Sequence, residues 1–149
     1  MGAEMTARYT LVFYAEASGR EPLADFLRNL EPHKRAALVA ALSEILAHQG
    51  VDVCATEYGK HLGKGLAEFR LRHSYDEIIK RFPDGEVVRP PVRRRGGSVL
   101  LRVFFHAYGD KRVLLLGGYD KGRRSSKRKQ EAEIARARKR LREFQSRTT

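Results

Sequence analysis

The chain has 149 residues, of which 42% are hydrophobic and 32% charged, with a formal net charge of +12. That length suits one compact domain and excludes two full cores, and that composition argues against disorder. A pI near 10.3 means self-repulsion on compaction, which a polyanionic partner relieves.

The charge is unevenly placed. Residues 121 to 149 carry twelve Lys and Arg against three Glu, so the basicity is a C-terminal feature. A membrane surface is the poorer partner for it, because Ile134, Leu141 and Phe144 are the only large apolar residues of that segment. The N-terminal "MGAEMTARYTLVFYAEASG" has too short an apolar run for a secretory or spanning segment, so a cytoplasmic protein without membrane contact is expected. Cys54 is the one cysteine, which rules out an internal disulfide or thiolate zinc site.

In chain order, "RYTLVFY" (residues 8 to 14) reads as an opening strand, followed by turn chemistry in "ASGREP". Leu23, Phe26, Leu27 and Leu30 give an apolar stripe for a first helix beginning at Pro22. Leu38, Leu42, Ile45 and Leu46 give a second, from Pro32 to a stop at Gly50. Residues 51 to 65 lack a period and hold three glycines, so a loop is expected, with Lys60, His61 and Lys64 crowded at its end. In "LAEFRLRH" a strand would place Glu68, Arg70 and Arg72 on one face. "SYDEIIKRF" can form two helical turns, and residues 83 to 98 read as a mobile inserted loop. "VLLRVFFHAYGDKRVLLLGGYDK" reads as a β-hairpin about Gly-Asp, with Arg102 the single charge in its first strand. Ser125 or Ser126 can then cap a basic C-terminal helix. The order implies an α+β fold: an N-terminal strand and helical hairpin on a mainly antiparallel sheet, with a basic C-terminal helix.

Several chemistries lack their residues. Gly117 to Gly122 has the glycine spacing of a P-loop, but Arg123-Arg124 stand where Lys-Ser/Thr must follow, and the strand entering it belongs to a hairpin. The five histidines show no metal-ligand spacing, and no G-x-S-x-G elbow is present. What remains is cationic. Lys60, His61, Lys64, Arg70, Arg72, Arg102 and Lys121, with Tyr119, would converge on one basic concavity if their strands are neighbours. Metal-free RNA cleavage needs such a set: a base for the 2'-OH, cations around the phosphorane, an acid for the leaving oxygen and a ring to stack on a base. Taken singly, each residue also fits an ordinary solvated charge.

"GKGLAEFRLRH", the hairpin just quoted and the helix with "EIARARKRL" together resemble the HigB-like branch of the RelE superfamily, toxins of type II toxin–antitoxin modules, over about residues 8 to 144. The resemblance implies a single RelE-like toxin domain over residues 1 to 149. Its activity would be ribosome-dependent, metal- and cofactor-independent mRNA cleavage that stops translation. A cognate, helix-turn-helix antitoxin would hold it inactive. By position, Arg70 and Arg102 match the arginines of the family's strand and hairpin, Lys121 the first lysine of the exit from that hairpin and Tyr119 the aromatic place. Catalytic side chains vary across the family, and the roles expected here are phosphate stabilisation for Arg70, Arg102 and Lys121 and the base for His61 or Lys60. Lys64, Arg72, Arg123, Arg124, Lys127 and Arg128 would contact RNA. Gly122 stands where relatives have a second lysine, and Ser126-Lys127 where many have Thr-Pro. A nucleic-acid-binding protein without nuclease activity and a gyrase-inhibiting toxin are alternatives on the same fold.

Overall fold

A computed structural model describes residues 8–73, 77, 78, 80 and 99–147. The expected loop over 83 to 98 lies outside them, as does most of "SYDEIIKRF", of which Glu77, Ile78 and Lys80 are helical. Among the described residues five strands form one mixed sheet. They are β1 (Thr10–Phe13), β2 (Gly59–Gly63), β3 (Leu66–Leu71), β4 (Leu101–Tyr108) and β5 (Arg112–Asp120), in the spatial order β1-β5-β4-β3-β2. β1 joins β5 in parallel and the other three pairings are antiparallel. The protein is therefore α+β, with the mainly antiparallel sheet its sequence implies.

Helices α1 (Pro22–Asn29) and α2 (Pro32–Ala41) each begin on a proline, whose fixed φ suits a first helical turn and whose missing N–H costs nothing there. A π-type turn over Leu42–Leu46 and one α-turn over Ala47–Gln49 prolong α2 to Gly50. Gly50 has φ +55°, and a Cβ there would lie 2.4 Å from the Tyr9 ring, so glycine ends this helix on both counts. The stretch Pro32–Ala55 is long and apolar enough to cross a membrane, with a mean hydropathy of 1.3 in its most apolar window. That window is 56% buried inside the protein, because Leu38, Leu42, Ile45 and Leu46 face Phe69, Leu101, Val103, Phe105 and Leu115 of the sheet.

Alternation along the strands gives the sheet a second face. Leu66, Phe104, Leu114 and Leu116 point away from the helical hairpin and pack under α3 (Lys127–Arg147) through its Ala137 and Leu141. Ser126 Oγ accepts a hydrogen bond from the Lys129 amide (3.2 Å), which caps α3 as its sequence suggests.

One expectation fails. Residues 51 to 65 are not a loop: Gly50–Ala55 is a 3-10 helix and Gly59–Gly63 is edge strand β2. "GKHLG" carries almost no β-propensity, so its extended form comes from pairing with β3 across a turn at Lys64 and Gly65, both at positive φ. Gly59 is required by close approach, since a Cβ would meet Val53 at 2.7 Å.

Candidate nucleic-acid interface

The three central strands bring Arg70, Arg102 and Tyr119 side by side. Arg70 pairs with Arg102 across β3 and β4, and Arg102 pairs with Tyr119 across β4 and β5, so the three share the α3 face of the sheet. The next row is Lys60, Glu68 and Phe104. Lys121 follows directly, its amide bonded to the Leu100 carbonyl (2.8 Å), which extends the strand pairing by one residue.

This row is not the open basic face that the sequence suggests. Arg102 is 1% exposed, Tyr119 3% and Glu68 6%. The row lies at the end of the sheet opposite the β4–β5 turn. Glu68 Oε1 lies 3.6 Å from Arg70 Nε and 3.9 Å from Arg102 Nε, close enough for ion pairing and too long for hydrogen bonds. Arg102 Nη1 donates to the Leu101 carbonyl (3.2 Å). Its Nη2 and the Arg70 Nε are buried with no hydrogen-bond partner. Burial and the neighbouring Arg70 and Arg72 push the Arg102 guanidinium below its ordinary range, against Glu68. Lys121 is also lowered, first by Arg102 and then by desolvation, Arg70 and Arg72. Arg72 thus belongs to the same electrostatic cluster: four cations around one carboxylate among the described residues.

Tyr119 does not offer a free stacking platform. Its ring stacks on Phe104 at 5.8 Å between centroids, and burial, followed by Glu68, pushes its hydroxyl pKa up to about 12. His61 is placed on the other face of the sheet, opposite Ala67 in the register, and is exposed. It is separated from the arginine row by the sheet itself, whereas Lys60 shares the row's face. Lys64 occupies the β2–β3 turn, beside Leu62 and Gly63, whose carbonyls both accept from Arg138 of α3. Lys127 and Arg128 are exposed on the first turn of α3.

Asp120 organises the chain where it leaves β5, a role no sequence signal assigned. Its carbonyl accepts from the Arg123 and Arg124 amides (3.0 and 2.9 Å), and its Oδ1 accepts from the Gly122 amide (2.9 Å). Its Oδ2 accepts from Lys34 of α2 (2.7 Å), which also pairs with Glu31 (3.1 Å). The Asp120 bond raises the Lys34 pKa, and Lys34 in turn lowers that of Glu31. Lys34 and Asp120 thereby fasten the helical hairpin to the turn that carries Lys121, Arg123 and Arg124. Arg124 turns back to Glu133 of α3 (2.8 Å). A cavity of about 480 Å³ lies between these elements.

No three His, Cys, Asp or Glu side chains gather into a metal site among the described residues. The accessible edge of this cluster, Arg70, Arg72, Lys60 and Lys121, can receive an anion, with the buried Arg102 charge behind it. No family model matches the chain, and no curated protein matches it significantly.

Proposed function

We propose that the protein is a RelE-like, HigB-type toxin that cleaves mRNA on the ribosome without a metal. The observation that carries this reading is the buried arginine row with its idle donors. A desolvated guanidinium with unused N–H groups is costly to keep, and a phosphate is the anion whose geometry two neighbouring arginines match.

In this reading Arg70, at the accessible edge of the row, holds the non-bridging oxygens as the 2'-OH attacks phosphorus, and the Arg102 charge behind it stabilises the growing charge on the phosphorane. Lys121, whose ammonium is weakened by its cationic neighbours, exchanges the proton with the attacking or leaving oxygen. Arg72 and Lys60 complete the positive surround, while Lys127 and Arg128 contact RNA backbone farther out. A small antitoxin, helix-turn-helix in type, restrains the toxin, and the ribosomal target puts the protein in the cytoplasm. The burial of Arg102 and Tyr119, with His61 on the far face, favours one second reading: a RelE-fold protein that binds RNA and does not cut it.

Induction in growing cells, with labelled methionine and thymidine incorporation followed in parallel and mRNA ends mapped, separates the readings. Arrested protein synthesis with new internal mRNA ends supports cleavage, and unperturbed translation would falsify it. Salt-sensitive RNA binding without new ends supports the binding protein. Thymidine incorporation failing first points to a gyrase inhibitor.

A further inference from the structure

The cavity of about 480 Å³ falls in the size range of small-ligand sites. It opens beside the arginine row and shares Tyr119 with it. Phe26 of α1 and Leu30 at its C-terminal cap supply an apolar floor. Its carboxylates are already committed: Asp120 and Glu31 to Lys34, and Glu133 to Arg124 and Arg136. Arg123 and Lys129 also line it, and their side chains make no hydrogen bond or ion pair among the described residues. Asn29 lines it too; its Nδ2 donates to the Asp25 carbonyl (3.0 Å), which leaves the amide oxygen free to accept.

An apolar floor, one neutral acceptor and two uncommitted cations are the complement of a base joined to a phosphate. An aliphatic ligand would leave Arg123 and Lys129 idle, and a bare anion would leave Phe26 and Leu30 uncovered. We infer that this cavity is a nucleotide subsite: one nucleotide of the bound RNA seats its base against Phe26 and Leu30 and its phosphate against Arg123 and Lys129. The inference rests on the RNA reading of the neighbouring row but not on cleavage there. Tyr119 belongs both to the cavity lining and to the arginine row, so the two lie next to one another.

Calorimetric titration of the whole protein with AMP, UMP, adenosine and inorganic phosphate tests it. A nucleotide should bind roughly tenfold or more tightly than adenosine or phosphate, and Arg123→Ala and Lys129→Ala should each weaken it by about tenfold, the worth of one charge-assisted contact. Both positions are exposed or at the cavity rim, so these variants keep the fold. Arg70→Ala should retain AMP binding whether or not it abolishes cleavage, which keeps the fate of this subsite separate from that of the catalytic reading. The idea is overturned if AMP and UMP bind no better than phosphate, if both rim variants bind as wild type does, or if a hexaglutamate peptide outcompetes AMP.

Discussion

The two faces of the sheet solve the same packing problem in different ways. The face under α1 and α2 has a continuous apolar centre, with His61 and Asp120 only at its margins: Phe69, Leu71, Leu101, Val103, Phe105 and Leu115 are all fully buried among Leu38, Ile45 and Leu46. The face under α3 is apolar only along part of its length, and then buries Glu68, Arg102 and Tyr119. Hydrophobic burial is non-directional and tolerates substitution of like volume, whereas a buried charge is expensive wherever it is not fully bonded. A sheet that could have been apolar on both sides retains arginine on one. The first face therefore holds the fold, and on the proposed reading the second gives up stability for chemistry.

Substitutions on the two faces should separate these roles. The largest expected stability change lies on the first: Phe69→Ala leaves a cavity between β3 and α2 and should cost ~3–5 kcal/mol in denaturant unfolding. A loss below about 1 kcal/mol would show that the helical hairpin is not the main support. On the second face, Arg102→Met should lower mRNA cleavage by roughly 10²–10³-fold, the usual effect of removing one transition-state donor. Its melting temperature should stay level or rise, because Glu68 keeps Arg70 at 3.6 Å while the repulsion of Arg102 by Arg70 and Arg72 and its unbonded Nη2 are removed. Glu68→Gln should do the reverse to stability and lower it by ~1–3 kcal/mol, since it strips two arginines of their counter-charge. In the double variant that destabilisation should shrink, and strict additivity would mean that the two groups are uncoupled.

The difference between the faces also explains what could be read from sequence. The hairpin of β4 and β5 was legible because two apolar runs flank a Gly-Asp turn, and α2 because its leucines recur every three or four residues. Edge strand β2 was not, since "GKHLG" is extended only by virtue of its partner. Missing that strand also hid its parity, which is why His61 was grouped with residues on the opposite face. Arg102 stands out as the lone charge in "VLLRVFF", a context that also signals the burial it has. Asp120 and Lys34 are 86 residues apart, and no local pattern can announce such a pair.

Titration gives a smaller, sharper test of the charged face. The Tyr119 hydroxyl has its pKa raised to about 12 by burial, so the folded state holds this proton after the unfolded chain, titrating near pH 10, has lost it. Tyr119 thus contributes stability that is complete below about pH 10 and is lost as pH rises towards 12, by at most ~2–3 kcal/mol. Tyr119→Phe should flatten the fall in melting temperature between pH 10 and 12 relative to wild type. Equal slopes would mean that Tyr119 is open to water, and the row with it.

The smallest effect should come from the exposed start of α3, where charge is present without burial. Lys127→Ala and Arg128→Ala remove side chains that meet solvent, so neither should move the melting temperature measurably. If they touch RNA backbone, each should lower the slope of log affinity against log salt by about 0.7, the counterion release of one single-strand phosphate. Affinity should fall by a similar factor for every RNA sequence tried, because a phosphate contact positions a strand without reading it. A sequence-dependent loss at either position would instead make α3 part of the recognition surface, and would move specificity away from the buried row to the helix that covers the sheet.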